Sequence, residues 1–279
     1  MEKHKNRSVK PVFTGFSALA LTAYLFLFFT HPAAADGPWL PENISVLGEK
    51  IDFLYRIIFY MTTVTFFLVQ GVLLFFIIKY RERPGQKALY FHESATLELI
   101  WWVVPGLILF FLAVYQWNTW VQAKISEPKS SGALRVEVLS QQFAWSFRYP
   151  GHDGKFNTRD DVSTAAELHI PEGKPVFLQL QARDVIHSFF LPNLRVKQDA
   201  VPGVVTQVWF QAAKTGTYEI ACAELCGIMH FAMKGQLIIH TQKEFDQWLQ
   251  ERYKAKEEPA PWGWDWVEEN KNLPVKSES

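Results

Sequence analysis

The chain carries no excess of charge of either sign, and it has very little cysteine. Its 279 residues include 28 lysines and arginines against 28 aspartates and glutamates, so the formal net charge is zero. A nucleic-acid-binding protein needs a basic stripe, which this balance does not indicate. There are only two cysteines. No Cys-x-x-Cys-His sequence occurs, which excludes a covalently attached c-type haem.

Hydrophobic residues make up 49% of the chain, and within the first 120 residues they are concentrated in three blocks. The first block, Val12 to Phe29, follows a basic start and leads into Ala33 to Ala35. These features are typical of a secretory signal peptide with an Ala-x-Ala cleavage site. We therefore predict a signal peptide at residues 1–35. An uncleaved third helix is the alternative, because the apolar stretch is long for a signal.

The second and third blocks predict a transmembrane hairpin at residues 36–120. Phe53 to Ile78 contains one charge, Arg56, and Leu99 to Trp117 contains none. An α-helix needs about 20 apolar residues to cross a bilayer. Apolar residues fill every side of both blocks, whereas a surface helix of a soluble protein has a polar stripe. Both blocks are therefore predicted to span the membrane, at about residues 53–78 and 99–117.

The connection between the two spans indicates their orientation. It is rich in basic residues, and positive loops stay on the cytoplasmic side. Two spans then place both ends of the mature chain on the opposite side, in agreement with an export signal. We expect a multi-pass protein of a bacterial-type inner or plasma membrane, with its soluble part on the extracytoplasmic (periplasmic) side. The basic residues of the connection are Lys79, Arg81, Arg83 and Lys87.

The remainder of the chain has the sequence pattern of a soluble β domain. After a polar linker at residues 121–132, short β-rich runs alternate with turn formers such as PEGKP and KTG. This pattern predicts an all-β, cupredoxin-like sandwich or small barrel over residues 133–242. A helix at residues 243–254 and a charged tail at residues 255–279 follow. The predicted strands are residues 134–139, 141–149, 176–181, 204–210, 217–221 and 236–240.

One short segment carries a soft set of metal ligands. Two neighbouring cysteines in an exported protein would ordinarily form a disulfide, but here a histidine and a methionine follow them. Thiolate, imidazole and thioether groups together select copper. Zinc is more often held by Cys and His without Met, and calcium and magnesium prefer oxygen. We therefore predict a copper site formed by Cys222, Cys226, His230 and Met233.

The second cysteine indicates two copper ions. A single blue-copper site needs one Cys, two His and a weak axial Met, so a second thiolate is surplus. Two thiolates can each bridge two coppers instead, with Met233 completing one copper and a backbone carbonyl, such as that of Glu224, completing the other. A second histidine must then come from elsewhere, and His187 is favoured because its apolar neighbours could seal a site. The full set of candidates is His152, His169, His187 and His240.

The spacing Cys-x-Glu-x-Cys-Gly-x-x-His-x-x-Met resembles the binuclear copper loop of subunit II of the haem–copper terminal oxidases, the cytochrome c oxidase family. DVIHSFFLPN resembles the family segment that carries the first histidine ligand, and RVKQDAVPG resembles the turn that follows. The resemblance covers nearly all of the mature chain. It implies a membrane hairpin followed by a cupredoxin domain. It also implies the metal ligands His187, Cys222, Glu224 (through its carbonyl), Cys226, His230 and Met233.

The resemblance also implies a function. Such a subunit receives electrons from a cytochrome c-like donor and passes them to haem in catalytic subunit I, which reduces oxygen and pumps protons. Other oxidase subunits and the membrane would be its further partners. The subunit would be an electron relay of a respiratory enzyme without bond chemistry of its own, because no acid–base or nucleophile constellation accompanies the metal ligands.

Three further residues, and the side chain of Glu224, acquire roles from the resemblance. The carboxylate of Glu224 would reach a magnesium or manganese ion at the interface with the catalytic subunit. Glu98 would lie at the mouth of a proton path. Phe143 stands where the family usually has the tryptophan that receives electrons, and Trp145 matches a second aromatic of that strand. Phe lacks the indole N–H and offers a smaller π-surface. The sequence therefore does not identify the electron donor.

Two other functions fit part of the pattern. A copper-bearing subunit of a nitric oxide reductase could use the same domain with a different catalytic partner. A membrane-anchored copper delivery or storage protein would bind the metal without passing electrons. The hairpin and Glu98 favour the oxidase, because a delivery protein would need only one anchor.

Overall fold

The computed structural model describes residues 40–87, 90, 93–125, 132–255 and 275–276. The predicted signal peptide lies outside the described residues, as does most of the predicted tail. The described chain consists of two long apolar helices followed by a β domain with one further helix. This is the predicted fold class.

The two apolar helices are longer than the predicted spans. Helix α1 runs Gly48–Lys79 and helix α2 runs Ala95–Trp120. Windows within them reach mean hydropathies of 2.2 and 2.3, and those windows contain no buried residue. Ser94 caps α2 by accepting a hydrogen bond from the backbone N–H of Leu97. Helices that expose apolar side chains all round are suited to lipid or to other membrane helices.

The β domain contains two sheets built from eleven described strands. The strands are β1 Leu134–Gln141, β2 Ala144–Tyr149, β3 Val162–Ala165, β4 Glu167–Pro171, β5 Pro175–Ala182, β6 His187–Leu191, β7 Val196–Ala200, β8 Val205–Gln211, β9 Gly216–Cys222, β10 Lys234–His240 and β11 Val275–Lys276. One sheet has the order β11-β8-β5-β1-β2-β3 and the other the order β4-β10-β9-β6-β7, so that β6 and β9, which carry His187 and Cys222, are neighbours.

Several elements of the domain differ from the sequence prediction. Strands β3, β4, β6 and β7 were not predicted, because each has only four or five residues and short runs give a weak periodic signal. The predicted linker begins with a π-helical turn, Val121–Ile125. A short piece of the predicted tail, β11, pairs in parallel with β8. Pairing between segments so far apart in sequence depends on tertiary structure.

The core between the sheets is aromatic close to the predicted metal site. Trp145 and Phe147 of β2 both lie edge-on to Phe189 of β6, with ring centroids 5.2 and 6.1 Å apart. All three side chains are fully buried. Burying one such side chain contributes roughly 1.5–3 kcal/mol to stability. This cluster therefore anchors β6, the strand that begins with His187.

Helix α3 packs against β4 and β10 of the second sheet and against β3 of the first. It runs Gln242–Lys254 and starts with a capping box formed by Thr241 and Glu244. Its Trp248 stacks on the ring of His169 with centroids 4.1 Å apart. His169 Nδ1 in turn lies 2.9 Å from His240 Nε2. The two imidazoles share a partly buried hydrogen bond, which requires that at least one of them is neutral.

This histidine pair makes stability depend on pH. Burial lowers the pKa of His169 to about 4 and lowers the pKa of His240 as well. Because the unfolded pKa is about 6.5, the unfolded chain binds protons first as pH falls from 6.5 towards 4. The contribution of the pair to the free energy of unfolding is therefore fully present above pH 6.5 and is lost as the pH falls through that window. Between pH 6.5 and pH 4, we expect His169→Phe to lose about 1–2 kcal/mol less unfolding free energy than wild type, while its ring keeps the stack on Trp248.

The measurement is the melting temperature of the detergent-solubilised chain across the same pH window. His152→Phe is the matched control, because the ring of His152 stacks on Tyr253 with centroids 4.0 Å apart but lies outside the buried pair. In the control, the melting temperature should fall with pH as steeply as it does in wild type. Equal slopes in wild type and His169→Phe would show that the pair does not sense pH.

Candidate metal centre

Two of the predicted ligands, His187 and Cys222, come from neighbouring strands of one sheet. His187 begins β6, and Cys222 ends β9. The two strands pair with Phe189 opposite Cys222, and the backbone N–H of Ala223 donates to the carbonyl of Ser188 at 2.9 Å. Since the strand pairing fixes both backbones, His187 and Cys222 are held side by side although 35 residues separate them.

The remaining ligands lie on the loop between β9 and β10, which we call the ligand loop (222–233). Its ends are joined by a hydrogen bond from the backbone N–H of Cys222 to the carbonyl of Met233, 3.2 Å long. Gly227 has a φ of +142°, and a Cβ there would lie 3.0 Å from the ring of Phe143. A side chain at this position would therefore push the loop away from Phe143.

The donor atoms are spaced as ligands of shared metal ions are. The sulfurs of Cys222 and Cys226 lie 3.8 Å apart. Donors that share one tetrahedral metal at bond lengths of about 2.3 Å lie about 3.8 Å from each other. His187, Cys222 and Cys226 offer three ligand atoms within 4.8 Å of one another. The other spacings are 3.9 Å from Cys222 Sγ to His187 Nδ1, 3.6 Å from Cys226 Sγ to His230 Nδ1 and 3.8 Å from Cys226 Sγ to Met233 Sδ.

Glu224 meets the cluster through its backbone. Its carbonyl oxygen lies 3.3 Å from Cys222 Sγ, which is compatible with an oxygen ligand on the same metal as that sulfur. The Glu224 side chain is exposed. Its carboxylate is therefore available to a partner outside the domain.

The two cysteines are free thiols in a buried position. Burial, together with the neighbouring Cys222 thiol, raises the pKa of the Cys226 thiol to about 11. A thiol with this pKa is protonated at neutral pH, whereas the thiolate is the form that binds a metal. Metal binding at this site must therefore release protons, and metal affinity must rise with pH.

Asp184 and Gln142 support the ligands, although the sequence did not single them out. Asp184 Oδ1 lies 2.8 Å from His187 Nε2, and Asp184 Oδ2 accepts the backbone N–H of Gln142 at 2.7 Å. The Gln142 side chain donates to the carbonyl of Cys226 at 2.6 Å. An acid three residues before a histidine was the available sequence signal. The contact with Asp184 leaves His187 Nδ1 facing the sulfur of Cys222.

The Asp184 carboxylate is held in its charged form. Partial burial raises its pKa, but the contact with His187 and the backbone N–H groups of Gln142 and Val185 lower it more, and the net pKa is below the usual range. An aspartate that stays ionised fixes a proton on His187 Nε2 and so selects the tautomer whose Nδ1 can bind a metal.

The two aromatic residues expected to receive electrons differ in exposure. Phe143 is half-buried and lies under Gly227 of the ligand loop. Trp145 has no exposed surface, and its ring lies 6.1 Å from that of His187. Phe143 is therefore accessible from solvent, whereas Trp145 is an interior neighbour of the donor cluster.

The other candidate residues lie away from the donor cluster. His169 and His240 form the pair beneath α3, and His152 stacks on Tyr253. Glu98 is exposed in the first turn of α2. It is separated from Trp120 by about 33 Å of helix. It therefore lies near the opposite end of the hairpin from the β domain.

Comparison with known proteins decides the family. The profile of the periplasmic domain of cytochrome c oxidase subunit II matches residues 134–240, and the profile of its transmembrane domain matches residues 35–118. Cytochrome c oxidase subunit 2 of Thermostichus vulcanus is 34% identical over 261 residues, covering 75% of this chain and 77% of the relative. The chain belongs to the cytochrome c oxidase subunit II family.

Two further proteins are similar to this chain. The alternative cytochrome c oxidase subunit 2 of Bradyrhizobium diazoefficiens is 30% identical, over 84% of this chain and 89% of the relative. The crystal structure of the periplasmic domain of subunit II of the cytochrome oxidase of Bradyrhizobium japonicum is 31% identical. The match spans 46% of this chain and 97% of the crystallised domain, with a TM-score of 0.40.

Membership in the subunit II family fixes the general character of the protein. It is a membrane-bound subunit of a haem–copper oxidase, with two membrane-spanning helices and a periplasmic domain. The cupredoxin-like domain binds copper, and the cluster of His187, Cys222 and Cys226 fits such a site.

Asp184 provides a test of the support around the ligands. We expect Asp184→Ala to lower copper affinity by about 10- to 100-fold, because the orientation and tautomer of His187 lose their partner. Competition with a copper chelator measures this affinity. Arg183→Ala is the matched control, since Arg183 bonds to the side chain of Gln141 at 3.2 Å instead of to a ligand. If both variants bound copper as tightly as wild type, Asp184 would have no role in holding His187.

Proposed function

We propose that this chain is the electron-accepting subunit of its oxidase and that it holds a binuclear copper centre. The proposal rests on the positions of the donor atoms, because each of the two sulfurs has its own histidine beside it. His187 lies beside the sulfur of Cys222, and His230 lies beside the sulfur of Cys226, at 3.9 and 3.6 Å. The two sulfurs lie between the two imidazoles. This arrangement supports one metal at each end, bridged by both thiolates.

The same arrangement supports the proposed ligand set. The carbonyl of Glu224 lies near Cys222, and the thioether of Met233 lies near Cys226. Each end therefore has one histidine and one weak donor in addition to the two sulfurs. The six proposed ligands are His187, Cys222, Glu224 (carbonyl), Cys226, His230 and Met233.

The bound coppers would supply a one-electron carrier between a cytochrome c-like donor and the haem of catalytic subunit I. The residues of this chain keep that carrier rigid and dry. Phe189 is fully buried next to Cys222 and excludes water. Asp184 keeps His187 in one orientation, and Gln142 holds the carbonyl of Cys226. A scaffold that moves little when the charge changes adds little to the barrier for electron transfer.

The remaining roles follow from family membership and from placement. Phe143, half-buried against the ligand loop, would face the donor, and Trp145, inside the core beside His187, would be an interior aromatic neighbour of the copper site. The exposed carboxylate of Glu224 would hold a magnesium or manganese ion against the catalytic subunit. Glu98, in the first turn of α2, would serve the proton path of an oxygen-reducing, proton-pumping complex in a bacterial-type inner membrane.

Counting copper in the purified oxidase tests the proposal. We expect two coppers in this subunit and an EPR hyperfine pattern in which one unpaired electron is shared by two copper nuclei. Cys226→Ser should abolish the shared pattern, because one bridging thiolate is lost. Ser188→Ala is the control. Its side chain bonds to Asp199 at 2.6 Å and leaves the ligands in place, so its spectrum should match wild type.

A different spectrum would favour another function. One copper with hyperfine from a single nucleus, or a Cys222–Cys226 disulfide that excludes metal, would contradict the relay. It would indicate a copper delivery or storage protein instead.

The role of the Glu224 carboxylate is separable from the copper site. We expect Glu224→Gln to retain both coppers, because the proposed ligand is the backbone carbonyl. The same variant should lose the manganese EPR signal of oxidase prepared from manganese-rich medium, because a neutral amide is a weaker ligand for a hard cation. Glu219→Gln, which changes an acid of β9 outside the ligand loop, is the control. A manganese signal of wild-type strength in Glu224→Gln would rule out this carboxylate as a ligand.

A further inference from the structure

An ion pair joins the first membrane helix to the β domain. Arg195 Nε donates to Asp52 Oδ1 at 2.7 Å, and Arg195 Nη2 donates to Asp52 Oδ2 at 3.1 Å. The third nitrogen, Nη1, donates to the carbonyl of Pro192 at 2.7 Å. Only 7% of the Arg195 side chain and 13% of the Asp52 side chain are exposed. A two-pronged pair with so little solvent fixes both distance and orientation.

The backbone at Arg195 indicates that the side chain is needed there. Arg195 has a φ of +59° and a ψ of +31°, the left-handed region that favours glycine. An L-residue with a Cβ costs about 1–2 kcal/mol in this conformation. Arginine gains nothing from that backbone geometry, whereas glycine would adopt it freely. The contacts of the guanidinium group offset the cost.

Arg195 lies just beyond the strand that carries the first proposed histidine ligand. Arg195 ends the short helical turn Pro192–Leu194, which follows β6 directly. β6 has five residues and starts at His187. Leu191 and Leu194 are fully buried, so the turn and the strand are fixed to the same core. A displacement of Arg195 relative to α1 would therefore be transmitted along β6 to the copper site.

Other contacts at this junction hold the same end of the domain. The backbone N–H of Ile44 donates to the carbonyl of Asn193 at 3.0 Å, and the N–H of Ala213 donates to the carbonyl of Ile44 at 2.8 Å. Lys124, which follows α2, donates to Gln198 Oε1 at 2.9 Å. The pair of Asp52 and Arg195 joins α1 itself to the domain through two opposite charges.

We propose that Asp52 and Arg195 are positioning residues for electron transfer. Their ion pair sets the place of the copper site above the membrane hairpin, and hence its separation from the haem of the catalytic subunit. This inference rests on the proposed relay function. The pair touches neither the metal ligands nor the proposed donor surface at Phe143. Its loss should therefore slow transfer from copper to haem and leave metal binding and donor affinity unchanged.

Two substitutions in the assembled oxidase test this role. Arg195→Gly removes the guanidinium and relieves the backbone, so the domain keeps its fold. Asp52→Asn keeps the size of the side chain and removes the charge. After rapid photochemical reduction of the copper centre, haem absorbance reports the rate of transfer. We expect both variants to slow it by about tenfold, since misplacements of about 1 Å have large effects on rate.

Controls separate positioning from general damage. Lys50→Gln changes the same turn of α1, but Lys50 bonds to Gln122 outside the β domain, so its rate should equal that of wild type. Asp52→Glu retains the carboxylate and should recover most of the rate. In Arg195→Gly, the copper count, the EPR spectrum and the KM for a soluble c-type cytochrome should stay at wild-type values while kcat falls.

The outcomes are distinguishable. Wild-type transfer rates in both Arg195→Gly and Asp52→Asn would overturn the positioning role and leave the relay function standing. Loss of copper or an altered spectrum in Arg195→Gly would overturn it too, because the pair would then act on the metal site. A wild-type complex without the shared two-copper EPR pattern would overturn the relay function and, with it, this inference.

Discussion

The architecture of the metal site depends on holding two thiols 3.8 Å apart in a buried pocket without allowing them to join. Cysteines four residues apart can reach many separations, and in an oxidising compartment a disulfide is a stable outcome. Here Cys222 is fixed as the last residue of a strand, and the hydrogen bond between Cys222 and Met233 closes the loop on itself. The sulfurs therefore face the space that the two imidazoles flank.

The polar groups around the site serve the same end. Asp184 holds one histidine, and Gln142 connects Asp184 to the carbonyl of Cys226. These contacts join three separate loops into one network. A network whose members are all satisfied makes a site rigid, and the proposed electron relay requires such rigidity. The buried aromatic rings of Trp145, Phe147 and Phe189 supply the apolar floor beneath it.

The membrane hairpin and the β domain differ in how their sequences specify structure. The hairpin follows from composition, because long apolar stretches in lipid can satisfy their backbone only as helices. The domain follows from strand pairing, and its short strands β3, β4, β6 and β7 escaped the sequence prediction. Strand β6 is the most consequential of these, since it carries His187 and is anchored at its other end by the turn at Arg195.

The sequence by itself determined the two apolar spans, the β character of the soluble part and the ligand loop, because these are local patterns of composition and spacing. It also favoured His187 among four histidines. Tertiary structure alone decided that His187 meets Cys222, that Asp184 and Gln142 support the ligands, and that Asp52 joins Arg195 across 143 residues. The physical reason is that such contacts depend on sheet register and on the docking of a helix end. These arise only when distant segments bury their apolar faces together.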